Sequence, residues 1–259
     1  MDLRETFDSA AELYDRVRPG YPPRLYVDLL LATGLQPGDR ALEIGPGTGQ
    51  ATKEMARAGF AVTAVELGAN LAAVARRNLA PYPTCSVEVA DFEKWPLPAE
   101  GFDLVYSATA FHWLNEETRL AKCRAALRPG GWLAVWDSWH CAGGTAQFFI
   151  DAQECYERWD PTTPPGLRLT EPDLLADNAA RVTTADGFEQ PIHRRYFWEQ
   201  TYTAESYLDV LRTYSGHIAM QPKAQQGLFD CIRDLIDNRY GGQITKAYLT
   251  RIRMARRAD

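Results

Sequence analysis

Short apolar runs alternate with amphipathic stretches through the first half of this 259-residue chain. Arg40 to Ile44, Ala61 to Glu66, Cys85 to Ala90, Phe102 to Ser107 and Trp132 to Asp137 read as strands. Two of them, at Ala61-Val62-Thr63-Ala64-Val65 and Leu104-Val105-Tyr106, lack the polar alternation of a half-exposed strand and suit burial on both faces. Helices are predicted between them: Thr48 to Ala58 closed by Gly59, Ala69 to Leu79 stopped by Pro81, and Glu116 to Leu127 ended by Pro129-Gly130-Gly131. Ahead of the first strand, Pro22-Pro23 opens a helix from Arg24 to Thr33 that Gly34 closes. Strand and helix in strict turn imply parallel strands with covering crossovers, an α/β fold of the doubly wound kind.

Beyond about residue 145 the rhythm changes. A helix from Gln147 to Trp159 meets prolines at 161, 164 and 165, and another helix is expected around Glu171 to Ala180. A polar strand from His193 to Thr201, helices at Ala204 to Tyr214 and Lys223 to Arg239, and a last strand from Ile244 to Met254 complete the chain. No internal repeat or flexible linker is visible, so one domain is expected. Residues 1–38 read as N-terminal lid helices, 39–140 as a ligand-binding core, and 141–259 as substrate-lid helices with the last strands.

Composition narrows the function classes. With 46% hydrophobic and 24% charged residues the chain reads as globular. A net charge of −6 offers no general attraction to a polyanion, which argues against nucleic acid or an anionic membrane as partner. The uncharged run from Leu104 to Asn115 is too short to span a bilayer. The start Met1-Asp2-Leu3-Arg4-Glu5 lacks the basic and apolar pattern of a signal peptide. Five scattered cysteines without a Cys-x-x-Cys predict reduced thiols in a cytoplasmic protein. Four histidines without a close pair give no metal signature.

The chemistry concentrates at Glu43-Ile44-Gly45-Pro46-Gly47-Thr48-Gly49, where the first strand turns into a helix. Such a turn brings backbone N–H groups and the positive helix end to the strand's carboxyl edge, and its glycines allow a ligand close approach. The dinucleotide pattern G-x-G-x-x-G fails in both registers, at Gln50 and at Thr52, and no P-loop is present. Glu66 ends the second strand 21 residues after Gly45, the spacing at which an acid accepts hydrogen bonds from ribose hydroxyls. Asp91, with Phe92 beside it, ends the third strand. All three points fall at strand carboxyl ends, where open α/β sheets bind ligands.

These residues resemble the class I S-adenosylmethionine-dependent methyltransferases. Glu43 to Gly49 is similar to their first motif, Glu66 to their ribose acid, and Asp91-Phe92 to their adenine pair. Phe102-Asp103-Leu104-Val105, Phe111-His112-Trp113 and Leu127-Arg128-Pro129-Gly130-Gly131 resemble their fourth and fifth strand regions. The opening Phe7, Ala10-Ala11, Tyr14-Asp15, Arg18-Pro19 and Tyr21-Pro22 resembles the small-molecule branch that includes trans-aconitate methyltransferase-like proteins. The resemblance implies a Rossmann-like, mostly parallel seven-stranded sheet with a reversed last strand and helical lid insertions. It implies S-adenosylmethionine as cofactor, with Gly45, Gly47 and Gly49 making room for its methionine part and ribose. Glu66 would hold the ribose diol with Leu67 alongside, Asp91 the adenine amino group, and Phe92 the ring. Backbone around Ser107 and Ala108 would meet the cofactor's amino group, and Tyr14 and Arg18 would close over it as a lid.

His112, after the fourth strand, is the candidate catalytic base, because an imidazole titrates near neutrality; a histidine packed beside the cofactor is the bland alternative. Asp137, His140 and His217 are weaker candidates. The segment Ser107 to His112 lacks the Asn/Asp-Pro-Pro-Tyr that the family uses on nucleobase or glutamine amino groups, which points to a small-molecule acceptor. A non-catalytic cofactor-binding module and a methyltransferase acting on a macromolecule stand as alternatives. A nicotinamide oxidoreductase is disfavoured by Gln50.

Overall fold

A computed structural model of the chain describes residues 7–175 and 182–259. A short 3-10 turn at Phe7–Ala10 leads into α1 (Ala11–Val17), followed by α2 (Pro23–Thr33) and β1 (Arg40–Ile44). Then come α3 (Gln50–Arg57), β2 (Ala61–Glu66), α4 (Ala69–Leu79), β3 (Ser86–Val89), β4 (Phe102–Ala108), α5 (Arg119–Ala126) and β5 (Leu127–Cys141). The rest is α6 (Ala146–Trp159), β6 (Ile192–Thr203), α7 (Ala204–Leu211), the single turn α8 (Ser215–Ile218), α9 (Pro222–Arg239) and β7 (Gln243–Arg256). The strands form one seven-stranded sheet in the order β3-β2-β1-β4-β5-β7-β6. β1 to β5 pair in parallel, and β7 runs antiparallel to both β5 and β6, so the last strand is the reversed one. The order turns back between β1 and β4, which makes a crevice at their carboxyl ends.

Alternation along the central strands divides the core. On β1, Leu42 and Ile44 join Val105, Val135 and Phe102 on one face, while Ala41 joins Leu104, Tyr106 and Trp136 on the other. The Tyr106 and Trp136 rings stack with centroids 5.4 Å apart. Fully burying a leucine such as Leu42 or Leu104 contributes about 2 kcal/mol. A separate apolar cluster joins Phe148, Leu208, Leu228 and Ile232 of α6, α7 and α9 into a helical layer over the start of β7.

Several expectations need correction. Cys155 and Cys231 form a disulfide between α6 and α9, with Cα atoms 5.8 Å apart, so the cysteines are not all reduced thiols; Cys85, Cys123 and Cys141 are free. Pairing depends on helices that pack together across 76 residues of sequence, which linear spacing does not reveal. That removes the cysteine argument for a cytoplasmic location. Among the described residues no helix is long and apolar enough to cross a membrane. β5 begins at Leu127, which pairs with Phe102 of β4, and runs to Cys141, well past the predicted Trp132 to Asp137, because β7 supplies backbone partners as far as Cys141↔Ala247. Of the helix expected at Glu171 to Ala180, the described part holds a 3-10 turn at Pro172–Leu174, and residues 176–180 lie outside the described residues.

The sheet interior carries one carboxyl that shapes both fold and site. Glu43 is fully buried, and its Oε2 accepts hydrogen bonds from Thr52 Oγ1 at 2.5 Å and Tyr106 OH at 2.8 Å. Burial pushes its pKa up to about 7, with Glu66 adding to the rise and the two hydroxyl donors opposing it. A carboxyl whose folded-state pKa is raised stabilises the fold while protonated and loses that stability as pH climbs through the folded value. Denaturant titration should therefore show wild type losing roughly 2–3 kcal/mol relative to Glu43→Gln between about pH 5 and pH 8. Parallel stability profiles for the two proteins would contradict this reading.

Candidate functional site

The β1–α3 turn is held by backbone geometry that only glycine adopts readily. Gly45 (φ 67°) and Gly47 (φ 61°) both lie in the left-handed region. A Cβ at Gly45 would stand 2.6 Å from the Cβ of Ala110, so the loop after β4 packs directly on this turn. Gly45 N–H donates to Val65 O at 3.0 Å, and Gly47 N–H donates to Glu66 Oε2 at 2.9 Å. The carboxylate at the end of β2 is thereby tied to the loop at the end of β1. Gly49 caps α3 and is not among the residues that line the cavity beside this loop.

Glu66 is nearly buried, and its other oxygen, Oε1, accepts Gly68 N–H at 2.9 Å. Burial raises its pKa, against the backbone donors of Gly68, Gly47 and Leu67, which favour the charged form. A carboxylate has about four lone-pair sites, so Glu66 keeps acceptor capacity beyond these backbone donors. Leu67 lines the same cavity. At the end of β3, Asp91 Oδ1 accepts Glu93 N–H at 3.0 Å and its Oδ2 lies 3.0 Å from Lys94 Nζ, while the buried Phe92 ring has the Lys122 ammonium 5.2 Å from its centroid. Asp8, which the sequence reading did not single out, accepts the Asn70 and Leu71 N–H groups at 2.7 and 2.9 Å and so caps the start of α4.

The N-terminal segment closes the other side. Tyr14, Arg18 and Tyr21 all line the cavity. The Arg18 guanidinium lies over the Tyr14 and Tyr214 rings, 4.9 and 4.4 Å from their centroids. It also donates to Thr213 Oγ1 at 2.8 Å and Thr213 O at 2.9 Å. Burial raises the pKa of Tyr14, which keeps its phenol neutral. Tyr21 OH and Thr109 Oγ1 share a hydrogen bond at 3.0 Å. Thr109 is the single non-glycine residue with positive φ (59°) among those described, a strained conformation for a β-branched side chain and one that clusters at functional loops. Tyr21 belongs to the opening pattern that the sequence shows, whereas Thr109 was not singled out from sequence; the strain has no sequence signal.

The end of β4 separates two expectations. Ala108 lines the cavity, whereas Ser107 is buried off it and donates its hydroxyl to Ile44 O at 2.9 Å, bracing β4 on β1. His112 lies on the cavity wall in a 3-10 turn at Phe111–Trp113, with the Trp113 ring 4.7 Å away. Desolvation lowers its pKa, Arg119 acts in the same sense and Asp137 against it, so the imidazole is neutral at neutral pH. Asp137 is buried against Arg251 at 3.2 Å, and His140 and His217 line a different cavity. Among the described residues no group of three or more His, Cys, Asp or Glu could hold a metal ion.

The cavity measures about 340 Å³, within the roughly 300–1,000 Å³ range of small-molecule sites. Its wall holds the carboxyl groups of Glu43, Glu66 and Asp91 and the guanidinium of Arg18. Glu43 Oε1 is buried there with no hydrogen-bond partner. A ligand with an ammonium, a carboxylate, a diol and an exocyclic amine matches that donor and acceptor set, so these residues fit S-adenosylmethionine.

Comparisons with known proteins agree. Residues 42–135 match the profile of the methyltransferase domain family. The chain is 31% identical to an uncharacterized methyltransferase of Geobacillus kaustophilus, across 53% of this chain and 67% of that protein. It is 26% identical to an uncharacterized methyltransferase of Mycobacterium tuberculosis over 91% and 87% of the two chains. It is 38% identical to the malonyl-[acyl-carrier protein] O-methyltransferase of Geobacter sulfurreducens over 51% of each. A solved structure from Anaeromyxobacter dehalogenans, described as a type II methyltransferase candidate, shares the fold with a TM-score of 0.64 at 21% identity, over 92% and 97% of the two chains. With the motif residues gathered at the carboxyl edge of the reversed seven-stranded sheet, the chain belongs to the class I S-adenosylmethionine-dependent methyltransferases.

Proposed function

We propose that this methyltransferase acts on a small-molecule acceptor by in-line displacement, in the cavity between the Gly45 turn and the N-terminal segment. The observation that carries the reading is the bond from Gly47 N–H to Glu66 Oε2, which sets a carboxylate and a glycine turn side by side at the edge of the crevice. Glu66 would accept the ribose hydroxyls, Asp91 the adenine amino group, and Phe92 with Leu67 would flank the ring. Glu43, its Oε1 without a partner, and Ala108 lie on the wall assigned to the ammonium of the methionine part. Arg18, pinned to Thr213, supplies the positive charge for its carboxylate, and Tyr14 covers it. Gly49 and Ser107 support the site from outside: the first by starting α3, the second by holding β4 against β1.

S-adenosylmethionine, once bound, supplies an electrophilic methyl group on a positively charged sulfur. The chain's own task is to hold an acceptor in line with it, which contributes much of the rate of a single-step displacement. His112, neutral and on the cavity wall, takes the proton that a hydroxyl acceptor releases as its oxygen forms the new bond to carbon. An acceptor that is already anionic needs no such base. The malonyl-[acyl-carrier protein] O-methyltransferase among the relatives is named for an oxygen acceptor on a malonyl group, which supports transfer to oxygen.

Calorimetric titration with S-adenosylmethionine should show binding that Gly47→Val and Glu66→Ala each weaken at least about tenfold, roughly the loss of one charge-assisted hydrogen bond or of the turn itself. Unaltered affinity in both variants would remove the assignment. His112→Ala should keep cofactor affinity and slow S-adenosylhomocysteine release from a metabolite extract about tenfold or more. In wild type that rate should fall on acidification with an apparent pKa below the ordinary imidazole value, since protonation removes the base and desolvation lowers its pKa. Wild-type turnover in the alanine variant would make His112 a packing residue.

A further inference from the structure

One ammonium lies inside the fold without an acid to balance it. Lys246 on β7 is 3% exposed, and its Nζ donates to Tyr214 OH at 2.8 Å. The centroid of the Tyr248 ring is 5.0 Å from the same nitrogen, and the Tyr248 hydroxyl shares a hydrogen bond with Tyr202 OH at 3.0 Å. No acid forms an ion pair with Lys246 among the described residues. Burying a cation without a counter-charge destabilises a fold, and one phenol oxygen with one aromatic face offsets only part of the lost hydration. A charge kept there at the expense of stability calls for a use.

Tyr214 connects this charge to the cofactor cavity. Its ring centroid is 4.4 Å from the Arg18 guanidinium, and the preceding residue, Thr213, accepts the Nε and Nη2 hydrogens of that same group. Arg18 thus rests on two consecutive residues between α7 and α8, which leaves Nη1 for a ligand. Burial opposes ionisation of the Tyr214 phenol, yet Lys246 and Arg18 lower its pKa, so both cations act on one ring. The neighbouring imidazoles add no charge: burial first, and then Lys246, lower the pKa of His140 to about 2 and of His217 to about 4, with Asp160 opposing the shift at His217.

We propose that Lys246 and Tyr214 are positioning residues for the carboxylate of the cofactor: Lys246 fixes the Tyr214 hydroxyl, Tyr214 with Thr213 fixes Arg18, and the buried ammonium adds a second positive charge at that end of the cavity. The inference rests on the reading that Arg18 takes this carboxylate. The wall of the cavity holds the carboxyl groups of Glu43, Glu66 and Asp91 against one guanidinium, so a ligand carboxylate enters among acids. In a poorly hydrated interior a unit charge acts beyond contact distance, and Lys246 strengthens the attraction of Arg18 without touching the ligand.

Calorimetry on the full chain tests this with S-adenosylhomocysteine and S-adenosyl-3-thiopropylamine, the same molecule without its carboxylate. Wild type should bind the first at least about tenfold more tightly. Lys246→Met should weaken S-adenosylhomocysteine about fivefold or more and leave the amine unweakened, because only the carboxylate loses an attraction. Tyr214→Phe, which keeps the ring and removes the hydroxyl, should weaken S-adenosylhomocysteine about threefold, again without loss on the amine. Equal losses on the two ligands, as general damage to the fold would give, or undiminished S-adenosylhomocysteine affinity in both variants, would overturn the proposal. Should Lys246→Met fail to fold, Lys246→Gln, which removes the charge and keeps a donor for Tyr214, decides in its place. A wild type that binds the two ligands equally would instead remove Arg18 from the carboxylate and take this inference down with that reading.

Discussion

Glu66 holds the site together. Its carboxylate sits at the end of β2, accepts N–H bonds from Gly47 and Gly68, and so fixes the β1–α3 turn relative to the β2–α4 turn. Neighbouring parallel strands bring these two turns side by side, and the carboxylate bond sets their spacing. Close packing of Gly45 on Ala110 extends the same constraint to the loop after β4, where His112 resides. Three loops from three strands are thus positioned by one buried acid and the contacts of a glycine.

The electrostatics of the cavity follow from that arrangement. Burial raises the pKa values of both Glu43 and Glu66, with the Glu66 charge adding to the rise at Glu43 and the Asp8 charge to that at Glu66. A cationic ligand with hydrogen-bond donors relieves this strain, and a neutral one does not. Facing them, Arg18, held by Thr213 and two tyrosine rings, provides the single guanidinium on the cavity lining among the described residues. An ammonium-bearing, carboxylate-bearing ligand therefore meets complementary charge at both ends. The N-terminal segment is not a loose cover: Arg18 ties it to α7's end, and Tyr21 ties it to the strained Thr109.

Much of this was legible in the sequence because the relevant signals are local. Strand and helix periodicity located all the parallel strands, and acids at the ends of β2 and β3 marked the crevice. What escaped depends on contacts across distant segments. The Cys155–Cys231 bridge needs α6 to pack on α9, and the length of β5 needs β7 as a partner. Ser107 and Gly49 sit within the motif yet off the cavity, because the alternating direction of side chains along β4 and the cap position of α3 turn them elsewhere. Asp8 and Thr109 carry no motif; the first acts as a cap from outside the helix it serves, and the second is marked only by its backbone angle.

Glu66 grips the glycine turn and is proposed to hold an adenosine at the same time. A crystal structure with S-adenosylhomocysteine measures it most directly. Both ribose hydroxyls should lie within hydrogen-bond distance of the Glu66 carboxylate while the bond from Gly47 N–H is retained. Ribose placed against any other side chain, with Glu66 left to its backbone partners alone, would contradict it.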